Sequence, residues 1–205
     1  MIIWTYVIQV DAGAAPNFDA PATTLTVCKP QIRIRARPGD LVLAFNGTKL
    51  NSNDPHSVCW AGVVGEVMGM GEYWKDVRFL SKKPGRSKTP DNIYRPTRSG
   101  ELIRVENETH TPADYQRDVG GINALIFDRS WHFGPFGPEL PQRFGLRMIG
   151  GRRGHRRIEI AGPTWTQLAI WLDRQSADSS ASLTSSESAG CSPKTLAKRA
   201  SSRRC

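Results

Sequence analysis

The residues with the clearest chemical potential lie close together, between positions 24 and 45. Cys28 is followed directly by Lys29, and Arg33 comes shortly after. Nearby cations and the amino end of a following helix both stabilise a thiolate, so Cys28 is a candidate nucleophile. A cysteine at the end of a strand is more often a small buried apolar residue, and this alternative stays open.

Two aspartates are candidate general bases. Asp40 follows a Pro-Gly turn and begins an apolar strand, and Asp91 precedes Asn92 in a polar segment. A carboxylate close to a substrate can accept a proton, while Lys29 or Arg33 would hold a phosphate. These residues are candidates for general acid–base catalysis.

A metal site has little support in the cysteine and histidine pattern. His56 and Cys59 could join Cys28 as zinc ligands, but the spacing is loose and no Cys-x-x-Cys pair occurs. We predict no metal and no cofactor. The four cysteines do not form a disulfide framework, so we expect a cytoplasmic protein.

Basic residues form three groups, at positions 29–37, 82–88 and 152–157, in a chain of net charge +9. Tyr73 and Trp74 come shortly before the second group. Cations beside exposed aromatic rings suit nucleic acid, because phosphates need charge and bases need a stacking surface. The alternative is a solvated basic face over aromatic core residues. We predict DNA or a nucleotide as the partner.

Common catalytic and phosphate-binding signatures do not occur in the sequence. We find no Walker loop, no GxGxxG after a strand, no GxSxG and no HExxH. The opening residues 1–10 are apolar but too short to span a bilayer, so we expect a first strand and no membrane segment.

Hydrophobic patterning predicts the elements that must position these residues. Strands are expected at 2–10, 24–27, 41–46, 57–68, 78–80, 101–105 and 122–133, and short helices from Pro30 and at 71–76. Gly62 and Gly65 indicate a bend or bulge in the fourth strand, and Gly39 is the expected cap of the first helix. Residues 150–157 are predicted to form a glycine- and arginine-rich loop. Residues 165–172 are predicted to form an amphipathic helix.

These elements predict an α+β domain built on a small, strongly bent mixed β-sheet or barrel with short flanking helices. The strands do not alternate with long helices, which argues against a Rossmann-type sheet. We assign the domain to residues 1–175. Residues 176–205 are rich in serine and basic residues and are predicted to be a disordered tail.

The order of several short motifs resembles one known family. The motifs are Tyr6 with Asp11-x-Gly13-x-Ala15-Pro16-Asn17, Cys28-Lys29-Pro30-x-Ile32-Arg33, Gly39-Asp40, Glu66, Tyr73-Trp74-x-Asp76-x-Arg78-Phe79, Lys82-Lys83-Pro84, Asp91-Asn92-Ile93-Tyr94, Leu125-Ile126-x-Asp128, Phe133-Gly134 and Gly154-His155-Arg156. Over residues 1–172 they are similar to the nucleotide modification associated domain, type two, of bacteria and bacteriophages. The turn and strands also look like the PUA-like fold of EVE and ASCH domains.

The resemblance implies a role in systems that make or handle modified DNA bases, and it implies a shared site. Family members often carry a further cysteine before Cys-Lys-Pro, where this chain has Ala22, Thr23 and Thr24. A two-cysteine mechanism is therefore not expected here. The candidate catalytic residues are Asp40, Asp91 and Cys28. The candidate binding residues are Asp11, Asn17, Lys29, Arg33, Tyr73, Trp74, Lys82, Lys83, Asn92, Tyr94, His155 and Arg156.

Three functional hypotheses follow. The first is a module that recognises a modified base or nucleotide in a basic, aromatic-lined pocket. The second is an enzyme that modifies a nucleotide or DNA base with the Asp, Asn, Lys and Cys cluster. The third is a structural protein that binds partners through its tail and basic face.

Overall fold

A computed structural model describes residues 1–54, 57–146 and 154–187. Its strands are β1 Ile2–Ile8, β2 Thr24–Leu25, β3 Leu41–Asn46, β4 Val58–Gly69, β5 Tyr94–Pro96, β6 Leu102–Arg104, β7 Asn123–His132 and β8 His155–Glu159. Its α-helices are α1 Pro30–Arg35, α2 Met70–Lys75, α3 Tyr115–Val119 and α4 Gly162–Glu187. Short 3-10 helices occupy Val77–Lys82, Pro112–Asp114, Gly134–Phe136 and Gln142–Phe144.

Six strands form one mixed sheet in the order β2-β7-β4-β3-β1-β8. The pair β1 and β3 is parallel, and every other pair in this sheet is antiparallel. Strands β5 and β6 form a separate hairpin. The predicted barrel is therefore wrong, because β2 and β8 end the sheet on opposite sides and do not pair with each other. The α+β class with short flanking helices is confirmed.

Each face of the sheet has its own apolar core, as the alternation along β1 illustrates. Ile3 packs with Leu168 and Leu172 of α4, together with residues of β3 and β4. Trp4 and Tyr6 point to the opposite face, where Ile32 of α1 covers them. A third cluster lies under the β5–β6 hairpin and α2. The site described below lies on the α1 face, between the sheet and this third cluster.

The predicted bulge in the fourth strand is confirmed at Gly65. The pairing of β4 with β7 shifts register between Val64 and Glu66. A Cβ on Gly65 would lie 1.8 Å from the Asp128 carboxylate, so a larger residue does not fit there. Glycine therefore permits the bend that brings both ends of this long strand into the sheet.

Several element boundaries differ from the sequence expectations. The predicted strand at 78–80 is a 3-10 helix, because the Asp76 side chain accepts the Arg78 N–H and caps it. Helix α1 ends at Ala36 instead of Gly39, which lies in the following turn with φ of 89°. The end of the predicted loop at 150–157 is part of β8, which pairs with β1. The rest of that loop, residues 150–153, lies outside the described residues.

Helix α4 begins before the predicted amphipathic helix and extends beyond residue 176, to Glu187. The remainder of the predicted tail, residues 188–205, lies outside the described residues. No helix in the described ranges combines the length and the apolar character needed to cross a membrane.

Candidate active site

Two consecutive left-handed residues connect β2 to α1 and set the position of the Cys28 thiol. Cys28 has φ of 57° and Lys29 has φ of 41°. Left-handed backbone costs roughly 1–2 kcal/mol for a residue with a side chain, so the surrounding structure must hold it. The Cys28 N–H donates to Asp118 Oδ1 at 2.8 Å and supplies part of that restraint.

His110 lies between Cys28 and Asp118. Its Nε2 is 3.8 Å from Cys28 Sγ, and its Nδ1 is 2.5 Å from Asp118 Oδ2. The backbone of His110 is fixed on both sides, since its N–H donates to Asn107 Oδ1 and its carbonyl accepts from the Arg104 guanidinium. The thiol, imidazole and carboxylate therefore form a relay of the kind that activates nucleophiles.

Asp118, on α3, is fully buried and orients the imidazole. Tyr94 donates its hydroxyl to Asp118 Oδ2 at 2.9 Å. Burial alone would raise the pKa of Asp118, but hydrogen bonds from His110, the Cys28 N–H and Tyr94 outweigh it and hold the pKa below its ordinary value. The carboxylate therefore stays ionised beside the histidine.

His110 carries a proton at neutral pH. Burial alone would lower its pKa, but the hydrogen bonds to Asp118 and Cys28 and their charges raise the pKa to about 9. A protonated imidazole next to a sulfur is the arrangement in which cysteine nucleophiles are found. The geometry therefore supports one chemical use, a cysteine and an imidazolium oriented by a carboxylate.

The same three side chains could also be considered as metal ligands, because Cys28, His110 and Asp118 offer atoms within 4.8 Å of one another. Three protein ligands are the number found in catalytic zinc sites. His110 Nδ1 and Asp118 Oδ2 lie 2.5 Å apart and are hydrogen-bonded to each other, which is the contact expected of a relay. We therefore favour the relay over a metal.

The thiol opens into a cleft of about 640 Å³ on the α1 face. Its polar lining includes three cations, which are Lys29, Lys49 and Arg117, and one acid, Asp114. Its lining also includes three small apolar residues, Ala12, Ala14 and Ala15. A smaller adjoining hollow shares Cys28, Lys29 and Arg117 with the cleft and adds His155.

Lys29 is partly buried at the base of the cleft. Its ammonium lies 4.3 Å from the centre of the Tyr6 ring and donates to the Val7 carbonyl at 3.3 Å. Burial lowers the pKa of Lys29, and the charge of Arg117 adds to that effect while Cys28 opposes it. Arg117 itself is half exposed and pairs with Asp114 at 3.0 Å.

The structure brings together part of the predicted site. Cys28, Lys29 and His155 line the cleft or the adjoining hollow. Arg33 and Tyr94 are buried behind it, where Arg33 donates to the Asp118 carbonyl and Tyr94 to the Asp118 carboxylate. These two residues hold α3 in place and have no surface open to a ligand.

A second predicted group forms a buried network away from the cleft. Asp91 accepts from Thr24 at 2.6 Å and from Tyr73 at 3.0 Å, and burial raises its pKa. Lys82 donates to Asn17 at 2.6 Å and is fully buried. Asn92 donates to two backbone carbonyls, those of Tyr73 and Phe79. In this structure these side chains fix the chain around α2 and do not meet the thiol.

The remaining candidates are dispersed. Asp40 accepts from the Trp4 indole and the Arg37 N–H, both at 3.0 Å, and so stabilises the turn before β3. Asp11 pairs with His132 at 2.9 Å and lies 3.9 Å from Cys59. The Lys83 ammonium lies 4.0 Å from the Trp74 ring. Arg156 pairs with Thr5 in the β1–β8 ladder, so it faces α4, away from the cleft.

The position of Cys59 does not support the zinc site considered from the sequence. Cys59 is buried in the core of the α1 face and contacts Asp11 instead of Cys28. Burial and the Asp11 charge raise the pKa of Cys59 to about 12, so this cysteine stays a neutral thiol. His56 lies outside the described residues.

Three functional residues escaped the sequence prediction, which are His110, Asp118 and Arg117. His110 lies within a polar segment at 106–114 that reads as a connection, and Arg117 and Asp118 follow that segment. One signal was present, because Thr111 and Asp114 form a capping box that starts the helical segment carrying Arg117 and Asp118. That pattern predicts the helix, but it does not predict which surface the helix faces.

Comparison with known proteins gives one family. A family model described as nucleotide modification associated domain 2 matches residues 1–186. No curated protein and no solved structure matches the chain. The likeness to EVE and ASCH domains therefore stays a prediction.

Proposed function

The chain belongs to the nucleotide modification associated domain 2 family, and from that premise we propose that it is an enzyme that modifies a nucleotide or a nucleic-acid base through the Cys28 thiol. One observation carries the proposal. Cys28, His110 and Asp118 form a relay beside an open cleft. The imidazole is hydrogen-bonded to Cys28 Sγ through Nε2 and to the Asp118 carboxylate through Nδ1.

The residues of the relay have separate roles in the proposed step. The Cys28 thiolate attacks an electrophilic carbon of the substrate and forms an S–C bond. The bond from that carbon to the attached oxygen or nitrogen breaks, and the departing atom takes the electron pair and the proton of His110. Asp118 keeps the imidazole in position. Water or a hydroxyl group of an acceptor then gives a proton to the neutral His110 and attacks the carbon, the S–C bond breaks, and the departing thiolate regains its imidazolium partner.

The binding-module hypothesis receives less support from the placement of the aromatic rings. Tyr73 and Tyr94, both predicted to contact a base, are each only 2% exposed. The cleft beside Cys28 is basic, but Tyr and Trp side chains are not among the residues that line it. A base that binds there packs against small aliphatic side chains, which suits a substrate in transit better than a stacked recognition complex.

Cysteine alkylation tests the relay before the substrate is known. At pH 7, we expect iodoacetamide to label Cys28 at least tenfold faster in the wild type than in the His110→Gln variant, because the imidazolium is lost. Mass spectrometry of the peptide that contains Cys28 measures the rate. Equal rates in the two proteins would remove the relay from consideration.

The enzymatic proposal itself is tested with pools of nucleotides and DNA. We expect the wild type to change the mass of at least one base or nucleotide, Cys28→Ala to abolish the change, and Cys59→Ala to retain it. Cys59→Ala is the matched control because Cys59 is the other free cysteine in the described residues and is buried away from the cleft. Undiminished conversion by Cys28→Ala would exclude the thiol mechanism.

A further inference from the structure

We propose that the cleft takes a free mononucleotide, anchored by its phosphate on Lys49 and Lys29 with its base against the three alanines of the lining, beside Cys28. This inference rests on the proposed function and names its substrate class. Three features support this inference. They are the charge of the cleft, the chemistry of its lining and its separation from the basic group at 82–88.

The cleft has an excess of positive charge that its own residues do not neutralise. Asp114 is the one acid that lines it, and this carboxylate already accepts from Arg117 and from Thr111. Lys49 is exposed and makes no ion pair within the described ranges, and the Lys29 ammonium meets a carbonyl and a ring instead of a carboxylate. Cys28 supplies part of the charge that favours the Lys29 ammonium, whereas Lys49 has no such partner within the described ranges and would be stabilised by an anionic ligand.

The lining of the cleft combines the groups that a nucleotide requires. Lys49 and Thr48 lie on a turn after β3, which presents a cation and a hydroxyl to a phosphate. Ala12, Ala14 and Ala15 contribute small apolar groups to the lining, against which a base can pack. Small-molecule sites combine an apolar wall with a few polar groups in just this way, and about 640 Å³ lies within their usual range of about 300–1,000 Å³.

A polynucleotide would need a basic track that continues beyond the cleft. The basic group at 82–88, with Arg86 and Lys88, lines a separate hollow that shares no residue with the cleft. Glu106 and Glu108 line that hollow and repel phosphates. Between these two groups of described residues, the charge distribution therefore favours a single nucleotide over a strand.

Calorimetric titration of the Cys28→Ser variant, which prevents turnover, tests this inference. The probes are the common ribo- and deoxyribonucleoside 5′-monophosphates, the corresponding nucleosides and a short single-stranded oligonucleotide. We expect at least one monophosphate to bind at least tenfold more tightly than its nucleoside. In the Lys49→Gln background that advantage should fall about tenfold, because one charge-assisted contact is lost. The matched control Lys88→Gln should leave it unchanged.

Three results would overturn the inference. They are nucleosides that bind as well as monophosphates, an oligonucleotide that binds more tightly than any monophosphate, and no binding of any probe. Each leaves the Cys28 alkylation result unaffected, so failure of the substrate assignment is distinguishable from failure of the thiol mechanism.

Discussion

The proposed chemistry depends on His110, because this residue is hydrogen-bonded to a thiol through one nitrogen and to a carboxylate through the other. Its raised pKa links the site to the stability of the fold. A histidine whose pKa is higher in the folded than in the unfolded state contributes stability that is complete below about pH 6.5. That contribution is lost as the pH rises through the folded value of about 9.

We predict that Asp118→Asn lowers the pKa of His110 from about 9 towards the ordinary value, because the main charge that favours the imidazolium is removed. Ring ¹H–¹⁵N NMR shifts against pH give the midpoint. Asp173→Asn removes a carboxylate of α4 that bonds to Trp131 and should leave the His110 midpoint in place. A midpoint that stays near 9 in Asp118→Asn would contradict the assigned role.

A second prediction at the residue scale concerns stability. Between pH 6.5 and 9, the free energy of unfolding of the wild type should fall by roughly 1–3 kcal/mol relative to His110→Gln, since the folded state loses its stabilised proton. Urea unfolding at several pH values measures both proteins. A difference that is constant over this range, or that grows with pH, is the opposite result.

Residue types were predicted better than residue roles. Cys28 and Lys29 were identified from the sequence because their chemistry is local and a helix start follows them. His110 and Asp118 were not, since they lie 82 and 90 residues from Cys28 and only the fold brings them together. The burial of Lys82 and Arg33 was not predictable for a related reason, because a cation on a polar segment looks exposed until its buried partners are known.

At the scale of elements, the site depends on how α1 and α3 are held together. Arg33 of α1 is fully buried, and its guanidinium donates to the Asp118 carbonyl at the site and contacts Met70 Sδ at 3.7 Å. The guanidinium also lies against Gly121, which has no side chain to displace it. Through this contact, the position of α1 affects the position of Asp118, whose carboxylate orients His110.

We predict that Gly121→Ala destabilises the fold by about 1–3 kcal/mol, the usual cost of overpacking a full site. The new Cβ would lie 1.8 Å from Arg33 Nη2, and the buried guanidinium has no room to withdraw. Cys28 alkylation should slow in the same variant, because Asp118 shifts. Thermal unfolding and peptide mass spectrometry check the two effects.

Gly69→Ala is the control for this substitution. A Cβ there meets nothing within 4 Å, so its unfolding free energy should change by less than about 1 kcal/mol. Equal effects of the two substitutions would show that loss of glycine, and not contact with Arg33, is responsible.

Most elements followed from local patterns. Apolar runs predicted β1, β3, β4 and β7, and proline at the first helical position predicted α1. Residues 78–80 did not form the strand that their local pattern predicted. The side chain of Asp76 caps a helical turn there, and this outweighs the preference of an apolar pair for a strand.

At the scale of the whole molecule, the family predicted from the order of motifs is confirmed. The barrel was wrong because strand sequences specify which face is buried but do not specify whether the last strand meets the first. Strand β8 carries charged residues, pairs with β1 and forms one edge of the sheet. Strand β2 forms the other edge and does not pair with β8.

We predict that deletion of residues 188–205 lowers the net charge and leaves the thermal stability nearly unchanged. The deletion removes five cations, Lys194, Lys198, Arg199, Arg203 and Arg204, and no acid, so the net charge falls from +9 to +4. The thermal midpoint should change by less than about 2 °C, because the contacts of α4 with the sheet come from residues such as Leu168 and Leu172. Affinity for random DNA should fall and depend less on salt, as filter binding would measure.

Mononucleotide binding is the internal control for the deletion, since the cleft lies in the retained residues and should keep its affinity. A midpoint lowered by more than about 5 °C would assign the deleted segment a role in the fold. Unchanged binding to random DNA would remove its charges from any role in nucleic-acid contact.

The open sheet also determines how this protein meets other chains. An exposed strand edge is a template on which another strand can add and start aggregation. Here one edge, β2, is only two residues long, and the other, β8, is the charged sequence His-Arg-Arg-Ile-Glu. A second copy that paired with β8 in parallel and in register would place Arg156 and Arg157 opposite the same arginines. The failure to close into a barrel is thus accompanied by two edges that discourage growth of the sheet.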